Sequence, residues 1–139
     1  MATPENAEKI KYLSRYIPLS GRINRMLEEQ YRWKCLAMKV TQNFSPTPGG
    51  GESGSPIERP MDKVDELERK ITQAIDELAD IRMEIEAVLG QLEDDTLREL
   101  MEYRYIDGLT WEQVAEKMHY SWRHTCRLHG EALAKINMS

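Results

Sequence analysis

Arg123 and Arg127 stand four residues apart in the run Ser121-Trp122-Arg123-His124-Thr125-Cys126-Arg127. Residues four apart share one face of a helix. Two guanidinium groups one turn apart can each grip O6 and N7 of a guanine in the major groove, a bidentate contact worth ~1–3 kcal/mol of base discrimination. Ser121, just ahead of them, has the side chain that caps a helix start. The free N–H groups of that first turn attract phosphate. Trp122 and His124 flank the pair. Ser121, Trp122, Arg123, His124 and Arg127 are therefore the candidate DNA-contacting residues. A solvated helix face would also carry two arginines, so the frame around them has to decide.

No other grouping competes. His119, His124 and His129 recur every five residues. Successive members fall ~140° apart on a helix and cannot share a face as metal ligands do. Cys35 and Cys126 have no CxxC partner, and no third member of a nucleophilic triad stands near Cys126. The many carboxylates between Asp62 and Glu86 have no histidine among them and no apolar pocket to raise a pKa. No metal, no cofactor and no enzymatic activity are expected.

The frame around the arginines is a succession of helix signals. Asp94-Asp95-Thr96 opens a helix, and Thr96 with Glu99 has capping-box spacing. Leu97, Leu100, Met101 and Tyr105 recur at helical spacing until Gly108 ends the run. Thr110 with Gln113 makes a second capping box, and Trp111, Val114, Ala115 and Met118 form the inner face of a short helix. His119-Tyr120-Ser121 is the turn, and Ser121 caps the last helix. Stepping that helix by 100° puts Thr125, Ala132 and Ile136 together, flanked by Leu128 and Leu133. Arg123, Arg127, Gly130 and Ala134 fall on the opposite side, with His124 and Cys126 on the borders. A capped helix, a three-residue turn and a capped helix with a basic outer face is the pattern of a helix-turn-helix, whose second helix enters the major groove.

Upstream the chain reads as an arm. Thr3-Pro4-Glu5 starts a helix. Pro18 is expected to interrupt it, with Ser20 capping the restart. Ile23, Met26, Gln30, Trp33, Ala37 and Val40 then follow a 3-4-3-4-3 spacing, a seam with one polar break. Residues 42–60 are rich in Gly, Ser and Pro and read as a flexible linker. Over 60–92, Val64, Leu67, Ile71, Ala74, Leu78, Ile81, Ile85, Val88 and Leu92 keep the 3-4 spacing for four heptads. Ile75 and Leu89 widen that stripe.

Charge is unevenly spread. Residues 1–45 hold eight Lys/Arg against four Asp/Glu, residues 46–93 five against twelve, and residues 94–139 six against eight. The basic first helix therefore complements the acidic second, which favours an intramolecular hairpin over bare self-pairing, with dimerisation through a remaining face as an addition. Arg22, Arg25, Arg32, Lys34 and Lys39 lie mostly off the seam, as a solvated face or as an arm on DNA phosphates. The net charge of −5 argues that any DNA binding comes from a local patch. No run approaches the ~18–20 apolar residues of a membrane span, and no signal peptide stands at the start. A cytoplasmic protein with reduced thiols is expected.

Leu97 to Ile136 resembles the region-4 helix-turn-helix of sigma-70-type factors. The matching residues are Leu97-Arg98, Arg104-Tyr105, Gly108-Leu109-Thr110, Glu112, Val114-Ala115, Ser121 and Ala132-Leu133. The longer chain is similar to small phage and prophage proteins of Gram-positive bacteria grouped with ArpU-like late-gene regulators. That likeness rests on Tyr12-Leu13-Ser14-Arg15-Tyr16, the Gly/Ser linker and Arg127-Leu128-His129-Gly130. The residue patterns together give an all-α fold: a long antiparallel coiled-coil hairpin over 1–92, then a helix-turn-helix DNA-binding domain over 93–139, with a second copy of the chain as a further partner. The resemblance implies sequence-specific binding of double-stranded DNA and transcriptional control, with RNA polymerase as a partner. His119 stands where sigma factors have a turn glycine, and their DNA-melting segment has no counterpart, so a complete sigma factor is not expected. The alternative is a protein-interaction adaptor, either a polymerase-binding factor or a small-terminase-like packaging subunit, working through the coiled coil.

Overall fold

The computed structural model describes residues 3–43 and 58–138. Six helices make up the described residues: α1 (Pro4–Leu13), α2 (Tyr16–Asn43), α3 (Glu58–Leu89), α4 (Asp95–Tyr105), α5 (Trp111–Met118) and α6 (Trp122–Lys135). No strand occurs among them, so the chain is all-α as expected. None of these helices is long and apolar enough to cross a membrane. The expected linker falls mainly on residues 44–57, outside the described residues.

Two helix boundaries differ from expectation. Thr3 caps α1, accepting the Asn6 N–H at 3.1 Å, with Pro4 at the first position. The break comes at Ser14-Arg15, and α2 restarts at Tyr16 rather than after Ser20. Pro18 sits in the first turn of α2. The N–H groups of a first turn have no intrahelical partner, so proline costs nothing there. At the other end, α3 stops at Leu89 instead of running to residue 92. Gly90 follows it, and glycine loses least by leaving a helix. Leu92 remains buried, its N–H donating to Leu89 C=O at 3.0 Å.

The chain divides into two compact units, Gly21–Asp76 and Met1–Ser20 with Glu77–Ser139. The domain boundary expected at 92/93 lies inside the second. In Gly21–Asp76 the seams face inward: Ile23, Ala37, Val64, Ile71 and Ala74 are buried, and Met26, Trp33 and Leu67 half-buried. Gln30, the polar break, is buried too. Its Nε2 donates to Val64 C=O at 3.2 Å and to Glu68 Oε2 at 2.7 Å. A buried amide left without partners would cost ~1–3 kcal/mol. These bonds are why a glutamine is tolerated in the seam, and a partnered polar group there favours one register.

In the other unit α4, α5 and α6 pack on one another, and α1 packs on α6. Leu97, Leu100, Met101, Val114, Thr125, Ala132 and Leu133 are all but inaccessible. Asp94, not Thr96, caps α4. Its carboxylate accepts the N–H groups of Thr96 at 2.8 Å and Leu97 at 3.3 Å. A charged cap at the positive end of the helix dipole outcompetes a hydroxyl two residues inside. Lys9 of α1 is buried, and its Nζ donates to Leu133 C=O in the last turn of α6 at 2.8 Å. An ammonium at a helix C-terminus satisfies a free carbonyl and opposes the dipole. Ile17 touches the turn after α4, where Gly108 has φ +74° and a Cβ would come within 3.1 Å of the Ile17 side chain. Conformation and contact both require glycine there.

Candidate nucleic-acid interface

The turn between α5 and α6 is built from local bonds. Thr110 caps α5, accepting the Gln113 N–H at 3.2 Å, while Gln113 Oε1 accepts the Thr110 N–H at 2.9 Å. At the other end Tyr120 N–H donates to Ala115 C=O at 2.9 Å and His119 N–H to Glu116 C=O at 3.3 Å. This pair of bonds is a Schellman motif, which needs a left-handed residue after the helix. His119 fills that position with φ 60° and ψ 40°. A left-handed conformation costs a residue with a Cβ roughly 1–2 kcal/mol. His119→Gly is therefore expected to stabilise the protein by about 1 kcal/mol, readable as a rise in thermal midpoint with unchanged helix content.

Ser121 then turns the chain into α6. Its Oγ accepts the His124 N–H at 3.1 Å, and its carbonyl accepts both the Thr125 N–H at 3.0 Å and Thr125 Oγ1–H at 2.9 Å. Thr125 is fully buried, so this polar residue is tolerated inside because its hydroxyl is bonded to the helix itself. Behind it Leu128, Ala132, Leu133 and Ile136 are buried.

The opposite side of α6 is open. Arg123, Arg127, Gly130 and Ala134 are exposed, with His124 and Cys126 half-buried at the borders. Trp122 stands 60% exposed at the head of the helix. A Cβ on Gly130 would meet nothing within 4 Å, so this face is low. Arg123 makes no hydrogen bond or ion pair with any described residue. Arg127 Nη2 donates to His124 Nδ1 at 2.8 Å, and the His124 ring is held edge-on by Tyr120 at 4.8 Å between centroids. This chain from Tyr120 to Arg127 was not anticipated from the residues, although the i, i+3 spacing of His124 and Arg127 permits it. It limits the rotamers of Arg127.

Three other cations of this region are engaged. Arg98 Nη1 donates to Leu92 C=O at 2.9 Å, and Nη2 pairs with Asp95. Arg104 Nη1 donates to Leu109 C=O at 3.0 Å, and the guanidinium lies over the Trp111 ring at 5.0 Å. Lys117 stands over Tyr103. Cation–ring and carbonyl contacts of this kind fix side chains as parts of the scaffold. Arg123 and Arg127 are the outward cations of the first turns of α6, and Lys135 stands exposed in its last turn.

His129 serves the scaffold. Its Nε2 shares a 2.8 Å hydrogen bond with the Tyr105 hydroxyl, and its ring packs on Trp111 at 4.3 Å. Burial, helped by the Arg104 charge, holds its pKa down at about 4, and burial pushes Tyr105 up to about 12. A neutral imidazole is thus built into the fold. Its contribution is complete above the unfolded pKa of about 6.5, shrinks as pH falls, and is gone below about 4, because the unfolded chain takes up the proton first. At pH ~5 the loss amounts to about 2 kcal/mol. His129→Gln is expected to flatten this decline in thermal midpoint between neutral and acidic pH. A slope unchanged in the variant would assign the effect elsewhere.

No cluster of His, Cys, Asp and Glu among the described residues could hold a metal ion. Comparison with protein families, curated proteins and solved structures finds no match for this chain.

Proposed function

We propose that this chain is a sequence-specific DNA-binding transcriptional regulator of phage or prophage type, acting in the cytoplasm. In this reading α5 and α6 are a helix-turn-helix of the sigma-70 region 4 kind, and α6 enters the major groove. The observation that carries it is the outer face of α6: Arg123 without a partner among the described residues, Arg127 one turn on, and Gly130 open beyond them. Ser121 and the first-turn N–H groups would hold a phosphate, fixing the register of the two arginines on base edges. Trp122 and His124 would lie along the groove wall.

The arm is read as an antiparallel hairpin of α2 and α3. Within the larger unit Arg15 Nη2 donates to Glu84 at 2.6 Å and Arg82 Nη1 donates to Tyr16 Oη at 3.0 Å, the opposed order such a pair requires. The exposed bases of α2 give the hairpin a surface for phosphates, which matters because residues 94–139 are net acidic. RNA polymerase is a further partner in this reading.

A selection from a random duplex pool tests the proposal. One preferred sequence, bound at least about a hundredfold more tightly than bulk duplex and less tightly as salt rises, is the expected result. Failure to retain any duplex at low salt defeats it. The adaptor reading, as a polymerase-binding factor or a small-terminase-like subunit, is favoured by the exposed apolar side chains of α2 and α3. It predicts complexes that survive replacement of both arginines.

A further inference from the structure

Arg127 Nη2 donates to His124 Nδ1 at 2.8 Å. A guanidinium has donors only, so Nδ1 is the acceptor and carries no proton. The imidazole in that bond is therefore neutral, with its one proton on Nε2. Two further contacts fix the ring. The His124 N–H is tied to Ser121 Oγ at 3.1 Å, which seats the residue in the capped first turn of α6. The Tyr120 ring meets the imidazole at 88°, with centroids 4.8 Å apart. Neither contact needs a charged ring. Glu116, Lys117 and His119, which close α5 ahead of the turn, form no hydrogen bond or ion pair with it, and no carboxylate among the described residues bonds it. The cations beside it on its own helix are Arg123 and Arg127, both exposed. The surroundings thus favour the neutral ring.

We propose that His124 is a positioning residue for Arg127, and that the neutral form of its ring holds the sequence preference of the α6 face. This role rests on the DNA reading proposed above and adds a control by pH to the same face. A bidentate grip needs the guanidinium plane set against the guanine edge. The bond to Nδ1 restricts that plane. Protonation puts a hydrogen on Nδ1, so that two donors and two positive charges face each other across the same gap. The contact then opens, and Arg127 loses the group that aims it.

Acid should move two kinds of binding in opposite directions. Preference for one sequence falls as Arg127 is released. Affinity for any duplex rises, because the imidazolium adds a positive charge beside the phosphates. Partial unfolding would lower both together, so the opposition separates aiming from stability. Histidine as a class changes charge between about pH 5 and 8. The scaffold histidine, His129, is held down at about 4 by burial, so the folded module keeps it neutral over most of that range.

Anisotropy of the full chain with the selected duplex and with a scrambled one, at fixed salt, tests this. From about pH 8 to about pH 5.5 the ratio of the two affinities should fall at least about threefold, while affinity for the scrambled duplex holds or rises. His124→Asn puts an amide oxygen near the place of Nδ1 and has no proton to gain. Its ratio should not change with pH and should exceed that of His124→Ala. Arg127→Ala should lose the pH response, and His119→Gly, which removes a titrating neighbour outside the contact, should keep it. Nitrogen NMR of the free protein reads the ring without DNA. The Nε2-protonated tautomer should dominate at about pH 8 and give way to a mixture in Arg127→Ala. A mixed tautomer in the parent, a flat ratio in the parent, a fall that persists in His124→Asn, or equal ratios for His124→Asn and His124→Ala would each overturn the inference and leave the DNA reading standing. Failure to retain any duplex at any pH defeats the DNA reading itself.

Discussion

Replacing Arg123 and Arg127 together by alanine is expected to remove sequence preference and lower duplex affinity by at least about a hundredfold. Each bidentate guanine contact contributes ~1–3 kcal/mol of discrimination, and the proposed reading gives the face two of them. Thermal stability should hardly change, because Arg123 makes no bond with a described residue and Arg127 bonds only to its neighbour His124. That separation of readouts distinguishes a reading face from a structural one. The single variants should differ in kind. Arg123→Lys should fall between the parent and alanine, since an ammonium keeps the charge and can reach O6 and N7 but lacks the rigid planar fork. His124→Ala should cost less than loss of either arginine, as it removes a groove-wall contact without a base-reading group and releases Arg127 into more rotamers. Anisotropy with the selected duplex and with a scrambled one measures all of these. If the double variant keeps its preference, another surface reads the sequence.

Most of that face was legible because it depends on a single helix. Once Ser121 is recognised as a cap, the 100° step places every residue of α6, and the burial of Thr125, Leu128, Ala132 and Leu133 follows the same arithmetic. His119 was legible as the turn residue for the same local reason. What escaped was chosen by competition or by distance. Asp94 and Thr96 both match a cap, and only the charge at the dipole decides between them. Pro18 reads as a breaker until the break is known to lie before it, after which it is an ordinary first-turn residue. Lys9 stands out in no sequence pattern, yet it is buried against Leu133, 124 residues away. No local pattern encodes a bond of that separation. The same holds for Tyr105 with His129, whose pairing depends on how α4 and α6 meet.

The buried lysine bears on the second large effect. Leu100→Ala is expected to cost ~2–5 kcal/mol, the range for removing a fully buried leucine with partial collapse of the cavity. Leu100 is 0% exposed, in the middle of α4, where α5 and α6 both pack. At roughly 4–8 °C per kcal/mol for a domain of this size, the melting point should fall by at least about 10 °C. Met83→Ala, at a side chain 68% exposed in the same unit, should stay within about 0.5 kcal/mol of the parent. Hydrogen exchange tells how far the loss spreads. Because α1 packs on α6 and Lys9 holds the carbonyl of Leu133, amides of α1 should lose protection together with those of α4, α5 and α6. Residues 23–40 and 60–76, in the other unit, should keep more of theirs. If α1 keeps its protection while α6 loses it, the Lys9 bond does not couple the two. The first helix would then be a passenger on the unit of α4, α5 and α6 rather than part of it.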